Sequence, residues 1–268
     1  MFVEKIGTCL YDVSHMALDQ PEAHQYYKHM HYYCELLLFL EGDADFFIDG
    51  VQYHLQPYDL LLIPKGTYHY LILRSAARYE NYVCNFFDTI LTPEQVKQLF
   101  RQPNVFNIRA DEELLHFFRL FDIYYNMYSR EDFCQSVEYL MREILLYCCY
   151  APRVSKADTQ EQNILVQKII RYVDSHTEEP LDAKIVASRL KVSRSHIQNV
   201  FSQSMQIGLK QYIMQKKIMA AHHDLMKGNP ATEVAAKYHF NDYSTFFRAY
   251  KKIFGCAPSS VRRKSSGL

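Results

Sequence analysis

Long apolar runs are missing from this chain. Runs such as residues 36–40 and 60–63 fall far short of the ~20 residues a membrane-crossing helix needs. No leader is expected either, because Glu4 and Asp12 interrupt the first fifteen residues before any apolar core can build up. No membrane association is expected, and the protein should work in the cytoplasm. The seven cysteines (Cys9, Cys34, Cys84, Cys134, Cys148, Cys149 and Cys256) form no CxxC pair. Their odd count gives no disulfide framework, so reduced, buried thiols are expected. Tryptophan is absent, and aromatic content rests on 22 Tyr and 17 Phe. Net charge is absent as well, with 30 Lys and Arg against 30 Asp and Glu.

That zero hides a division. Residues 161–268 carry 17 basic against 8 acidic side chains, and residues 1–160 carry 13 against 22. A basic second half suits a polyanionic partner for that half alone. A length of 268 residues with 49% hydrophobic content allows two packed domains. The expected class is α+β: a β-barrel over 1–105, a helical dimerisation region and linker over 106–160, and an all-α domain over 161–268.

The first segment is punctuated like a β-rich domain. Short β-branched and aromatic runs are broken by Glu41-Gly42-Asp43, Pro57 and Pro64-Lys65-Gly66. Asp49-Gly50, between Phe46-Phe47-Ile48 and Val51-Gln52-Tyr53, signals a two-residue hairpin. Within this domain His29 and His31 are followed by Glu35 and Gly42, and Pro64-Lys65-Gly66 is followed by His69. These segments resemble the two-part motif of the cupin barrels, H-x-H-x3-E-x6-G and P-x-G-x2-H. The glycine that opens the second part is Tyr58 here, and the closing asparagine is Leu73.

If 29–35 is extended, strand parity puts His29, His31 and Glu35 on one face, and His69 would come from a facing strand. Three imidazoles and a carboxylate could ligate Fe, Mn, Zn or Ni. An organic-ligand pocket built partly from the same residues is the favoured reading, and no metal or cofactor is assigned. The expected ligand-binding set is His29, His31, Tyr33, Glu35, His69 and Phe86. Tyr32, Tyr68 and Tyr70 could add stacking surfaces.

Thr92-Pro93-Glu94 opens a helix. Residues 111–150 then carry apolar side chains three and four apart in two blocks, with a break near Tyr128-Ser129-Arg130. These two helices either cap the barrel or form a dimer interface. Residues 151–163, polar and containing a proline, read as the linker.

From residue 164 the patterns are helical only. One short helix and a second beginning after Ser193 form a helix-turn-helix. A longer helix ends at Gly228, Asn229 caps the next and Pro230 takes its first position. A second helix-turn-helix follows. Its last helix, within 238–262, has one face of Phe246, Phe247, Tyr250, Ile253 and Phe254 and is interleaved with Arg248, Lys251 and Lys252. Gly255 stops it and Pro258 blocks its resumption.

This half resembles the DNA-binding domain of the AraC/XylS family of bacterial transcription regulators. The resemblance is carried by Leu181, Ala187, Leu190, Ser193, His196, Ile197, Phe201, Tyr212, Lys217, Ile218, Ala221, Leu225, Val234, Ala235, Phe240, Phe246, Arg248, Phe254, Gly255, Pro258 and Arg262. A cupin-like barrel ahead of it is the family's common sensor arrangement. Both family turns favour glycine where this chain has Lys191 and His239.

The resemblance implies a ligand-responsive, sequence-specific regulator and not an enzyme. The implied partners are promoter DNA, a small effector such as a sugar, RNA polymerase and a second copy of the chain. By family position Ser195, Gln198, Asn199, Tyr243, Ser244, Thr245 and Arg248 face bases. Arg194, Lys216, Lys217, Lys251 and Lys252 hold phosphates. The alternative from another class is a metal-dependent cupin oxygenase or isomerase with a helical appendage, motivated by His29, His31, Glu35 and His69.

Overall fold

The computed structural model describes residues 2–8, 10–22, 26, 28–101, 103–153 and 164–265. Cys9 and most of the expected linker, 154–163, lie outside the described residues, as does the side chain of Arg262. The chain divides into two compact units at about residue 160. No described helix is long and apolar enough to cross a membrane.

The first unit is built on strands β1 (Phe2–Gly7), β2 (Tyr11–Leu18), β3 (Cys34–Glu41), β4 (Ala44–Ile48), β5 (Val51–His54), β6 (Asp59–Ile63), β7 (His69–Leu73) and β8 (Tyr79–Phe86). Helix α1 (Pro93–Leu99), strand β9 (Val105–Asn107) and helices α2 (Glu112–Met127) and α3 (Arg130–Tyr150) complete it. One sheet runs β1-β2-β8-β3-β6-β9 and the other runs β5-β4-β7. Asp49 and Gly50 both have positive φ, 47° and 79°, as a type I′ hairpin between β4 and β5 requires. The described arrangement is two facing sheets, which fits a cupin-like fold. Strand β9 ends at Asn107, two residues past the expected barrel boundary.

The central strands are buried on both faces, so their side chains sort by parity. Leu37 and Phe39 of β3 pack with Phe46 and Ile48 of β4 and Leu71 and Leu73 of β7 between the sheets. Leu36 and Leu38, one residue out of phase, pack with Tyr82, Cys84 and Phe86 of β8 under Phe118 and Phe121 of α2 and Val137 and Ile144 of α3. Each such side chain contributes about 1.5–3 kcal/mol by leaving water. The two helices are therefore integral to this unit's core.

Their ends are set locally. Thr92 and Gln95 form a capping box on α1, and Asp111 and Ser129 cap α2 and α3 through the amides of Leu114 and Asp132. His15 on β2 ties the sheet to α2. Its ring stacks on Tyr82 at 3.9 Å, Nδ1 lies 2.7 Å from Asp122 and Nε2 lies 2.9 Å from Glu80. Burial opposes charge on Asp122, yet hydrogen bonds from His15 and Tyr82 hold its carboxyl down at about 2. Tyr58 stands where the cupin motif has glycine, and its φ is 72°. The Arg109 guanidinium sits 5.0 Å above its ring.

The second unit is α4 (Ile164–Ser175), α5 (Ala183–Arg189), α6 (Arg194–Met205), α7 (Leu209–Met226), α8 (Ala231–Lys237), α9 (Tyr243–Phe254) and α10 (Pro258–Ser265). Its two helix-turn-helix units end their first helices in the same way. The Lys191 amide donates to Ser188 and the Val192 amide to Ala187, while His239 donates to Ala236 and Phe240 to Ala235. This is the paired-bond helix stop that places one residue in the left-handed region. Lys191 sits there with φ 56° and His239 with φ 54°.

Two expectations are corrected. Pro230, not Asn229, is the N-cap residue of α8. Pro258 does not block a helix but opens α10, where its fixed φ suits the first turn and its missing N–H is not needed.

A left-handed conformation costs a side-chain-bearing residue about 1 kcal/mol relative to glycine. Lys191→Gly and His239→Gly should therefore each raise the unfolding free energy of the second unit by about 1 kcal/mol in denaturant titration. Unchanged or lowered midpoints would show that these side chains make compensating contacts.

Candidate ligand site and nucleic-acid interface

Residues 29–33 are not a regular strand, so parity is not what gathers the histidines. His29 makes an isolated bridge to His69, with mutual amide–carbonyl bonds of 3.2 and 3.0 Å. His31 is held by the Gly66 amide donating to its carbonyl at 2.7 Å. The rings of His29, His31 and His69 then lie 4.5–5.6 Å apart, centre to centre. Glu35, on the inner face of β3, places its Oε2 3.2 Å from His31 Nε2 and 3.8 Å from His69 Nε2. His29 is exposed, and the other three are buried.

Backbone carbonyls fix two of the tautomers. His31 Nδ1 lies 2.6 Å from the Tyr33 carbonyl, and His69 Nδ1 lies 2.9 Å from that of Thr67. A carbonyl only accepts, so both Nδ1 atoms carry the proton. Burial lowers the pKa of His69 to about 4, leaving it neutral at neutral pH. Burial also works against charge on Glu35, but the His31 hydrogen bond and the neighbouring imidazoles hold its carboxyl at about 2. Tyr33 stacks on His31 at 3.9 Å, its ring planes 10° apart.

Phe86 does not join this group. The side chain on the inner face of β8 is that of Asn85, which stands opposite Glu35 on one side and Asp12 on the other. Phe86, one residue on, belongs to the core beneath the helices. Tyr70 likewise alternates with His69 and stacks on Phe47 at 4.4 Å, away from the site.

Sequence reasoning missed Asp12, Asn81 and Asn85. Asn85 Nδ2 donates to Asp12 at 2.6 Å and Asn81 Nδ2 to the Tyr79 hydroxyl at 2.8 Å, while both amide oxygens are buried without a hydrogen-bond partner. Burial raises the Asp12 pKa, against the Asn85 hydrogen bond. The readable signal was two asparagines four apart in a strand otherwise apolar except for Glu80, since asparagine is depleted from strands.

In the second unit, capping sets where each recognition helix begins. Ser193 accepts from the His196 amide at 3.2 Å, and Asp242 accepts from the Thr245 amide at 2.7 Å. Arg194, Ser195 and Asn199 are exposed on α6, as are Tyr243, Ser244, Arg248, Lys251 and Lys252 on α9. Gln198 and Thr245 are half-buried. The Thr245 hydroxyl donates to Asp242 at 2.8 Å, so its proton is committed within the cap.

Lys217 is not placed to hold a phosphate. Its side chain is buried, and the ammonium donates to the Glu179 and Tyr238 carbonyls, both at 2.9 Å. Tyr238 is the C-cap of α8, where helix carbonyls favour a cation. Lys217 thus ties α7 to the start of the second turn. Lys216 pairs with Asp174 of α4 and is mostly buried, which also turns it away from an open surface.

Two family descriptions match the chain, an AraC-like ligand binding domain over residues 16–142 and a helix-turn-helix domain over residues 186–264. The HTH-type transcriptional activator AarP of Providencia stuartii is 25% identical over 114 residues, covering 42% of this chain and 84% of that protein. The regulatory protein SoxS of Salmonella typhimurium is 26% identical over 101 residues, covering 37% of this chain and 94% of that one. The putative HTH-type regulator YkgA of Escherichia coli is 27% identical over 116 residues, 43% of this chain, and the match spans about half of its own length, 48%. Among solved structures, ToxT of Vibrio cholerae aligns over 97% of this chain and 100% of its own, with 14% identity and a TM-score of 0.42.

Removing a buried charged hydrogen bonder costs about 1.5–3 kcal/mol. Lys217→Met should lower the second unit's unfolding free energy by that amount, whereas Lys251→Ala should stay within about 0.5 kcal/mol. Equal, small effects in chemical denaturation would refute the clamp.

Proposed function

Because the chain belongs to the AraC/XylS family of transcription regulators, we propose that it is a ligand-responsive, sequence-specific DNA-binding regulator of bacterial promoters. The observation that carries this reading is the double helix-turn-helix. Both units share one turn geometry, and each recognition helix leaves polar and basic side chains exposed in its first turns. Recognition helices present such side chains to base edges in the major groove, while cations and helix N-termini hold the phosphates. Gln198 and Asn199 suit adenine, Arg248 suits guanine, and Arg194, Lys251 and Lys252 suit the backbone. Two helices in successive major grooves would read two short boxes about 34 Å apart.

The enzyme alternative recedes because the matched relatives are transcription regulators. The effector site in this reading is the space faced by Glu35, His31 and His69 and the row of half-buried Asp12 with buried Asn85 and Asn81. Tyr33 supplies a ring. Paired carboxylates and amides beside aromatics suit a polyhydroxylated ligand, so a sugar is the favoured effector class. AarP is named as an activator, which favours activation through RNA polymerase here. Ile123 and Met127 of α2, Tyr128 just past its end and Tyr139 of α3 are exposed, a surface suited to a second copy of the chain in a cytoplasmic homodimer.

Gln198→Ala and Arg248→Ala should each weaken specific binding by about 1–3 kcal/mol, roughly 5- to 150-fold, and relax the preference at one base position. Lys251→Ala should weaken all sequences alike and reduce the salt slope by about 1. Genome-wide binding with and without candidate sugars supplies the operator for these measurements. If both base-facing variants keep the ratio of specific to nonspecific affinity, the base-reading assignment fails.

A further inference from the structure

Lys191 and His239 occupy the same place in the two helix-turn-helix units, one residue past the C-cap of the first helix. Both sit in the left-handed region, at φ 56° and 54°, where glycine is the ordinary occupant. Tyr58 also has a positive φ, but its ring carries the Arg109 guanidinium at 5.0 Å, so that side chain is used inside the fold. Lys191 and His239 are exposed. Among the described residues their side chains take part in no hydrogen bond, ion pair or ring contact. Only their backbone amides are engaged, by the carbonyls of Ser188 and Ala236. A strained residue whose side chain does nothing within the fold points to a role outside it.

We propose that Lys191 and His239 hold DNA phosphates on the wall of the major groove, one beside each recognition helix. The inference rests on the assignment of α6 and α9 to DNA reading. Lys191 stands two residues before the Ser193 N-cap, and His239 stands three before the Asp242 N-cap. Two or three residues span at most about 7–11 Å. A helix centred in a major groove about 12 Å wide has a sugar–phosphate wall about 6 Å away on either side. A side chain at that offset from the helix start reaches the wall, not the base edges. Both side chains offer N–H donors, and phosphate oxygens accept them. In the first unit exposed Arg189 and Arg194 bracket Lys191, so the turn is a run of cations. In the second, the one nearby carboxylate on α9's cap, Asp242, is committed to the amide and hydroxyl of Thr245.

The test titrates full-length protein onto two duplexes, the operator found by genome-wide binding and a scrambled sequence of the same length, between about 50 and 200 mM salt. Lys191→Asn and His239→Asn keep a residue that tolerates the left-handed turn but remove the reach. Each should weaken binding to both duplexes alike, on the order of 3- to 10-fold at the lower salt. Lys191→Asn should also reduce the salt slope by about 0.9, so that it loses about 3.5-fold less affinity over that range. Lys191→Arg should bind as the parent does, and His239→Lys should steepen the slope by about 0.9. Lys191→Gly and His239→Gly relieve the strain, so they should bind as weakly as the asparagine variants while unfolding at higher denaturant, which separates lost contact from lost fold. The scrambled duplex separates the contact from sequence reading: equal affinity of the parent chain for both duplexes defeats the sequence-reading assignment, and the variants' loss on the scrambled duplex still decides the contact. The proposal is overturned if both asparagine variants keep the parent's affinity and salt slope, or if their loss is confined to the operator.

Discussion

A β-strand sends successive side chains to opposite faces, and the first unit depends on that constraint. From Cys34 to Phe39 of β3 neither face reaches water, so each of these residues commits to one of two cores. Glu35, Leu37 and Phe39 look toward the three-stranded sheet, and Cys34, Leu36 and Leu38 look toward the helices. A one-residue slip would exchange the two sets and put a carboxylate under α2 and α3. The register is held against such a slip by long runs of pairing, from Leu18 to Tyr11 against β8 and from Cys34 to Phe39 against the same strand. Placement of the ligand site and burial of the helices therefore follow from the same register.

The second unit depends on how helices stop. Two matching left-handed turns set the angle at which each recognition helix leaves its partner. Neither turn uses glycine, so each carries strain that tertiary contacts must offset. The contact nearest the second turn is the Lys217 ammonium on the Tyr238 carbonyl, one residue before strained His239. Asp224 supports the same corner by accepting from Lys237 at 2.7 Å and from the Tyr238 hydroxyl at 3.1 Å. Ring packing of Phe246 against Phe240 and Tyr250 completes it. A lysine that sequence pattern assigns to DNA is thus part of what holds the DNA-reading helix in place.

Much of this was legible because it is local. Thr92, Ser129, Ser193 and Gly255 announce helix ends through hydrogen bonds within four residues, and Asp49-Gly50 announces its hairpin through backbone preference alone. The convergence of His29, His31, Glu35 and His69 was legible as a motif, although the reason offered, strand parity, was not the one that holds. What could not be read was which face a two-sided strand turns inward. Phe86 and Asn85 are neighbours, and nothing in their spacing says that the amide goes to the site and the ring to the core. Lys217 was misplaced for a related reason. A long side chain between Lys216 and Ile218 can reach either solvent or a buried carbonyl, and only the positions of the Glu179 and Tyr238 carbonyls decide.

The two-faced strands also bear on how an effector could act. Anything that draws Glu35 toward His31 and His69 acts on β3 from one side. The other side of β3 and β8 carries Leu36, Leu38, Tyr82 and Cys84, which pack against α2 and α3. Tyr82 in turn donates to Asp122, which also lies 2.7 Å from His15. A close-packed interior transmits such a displacement because it has little room to absorb it. The shift becomes a signal only if the occupied site favours one arrangement of those helices over another, since a ligand with equal affinity for both changes nothing. The place to look for the second arrangement is therefore the joint among β8, His15 and Asp122, where polar bonds stand among the apolar contacts of the helix–sheet interface. Asp122 engages Nδ1 of His15 and Glu80 engages Nε2, and exchanging the Asp122 bond for water would loosen α2 without opening the core beneath it.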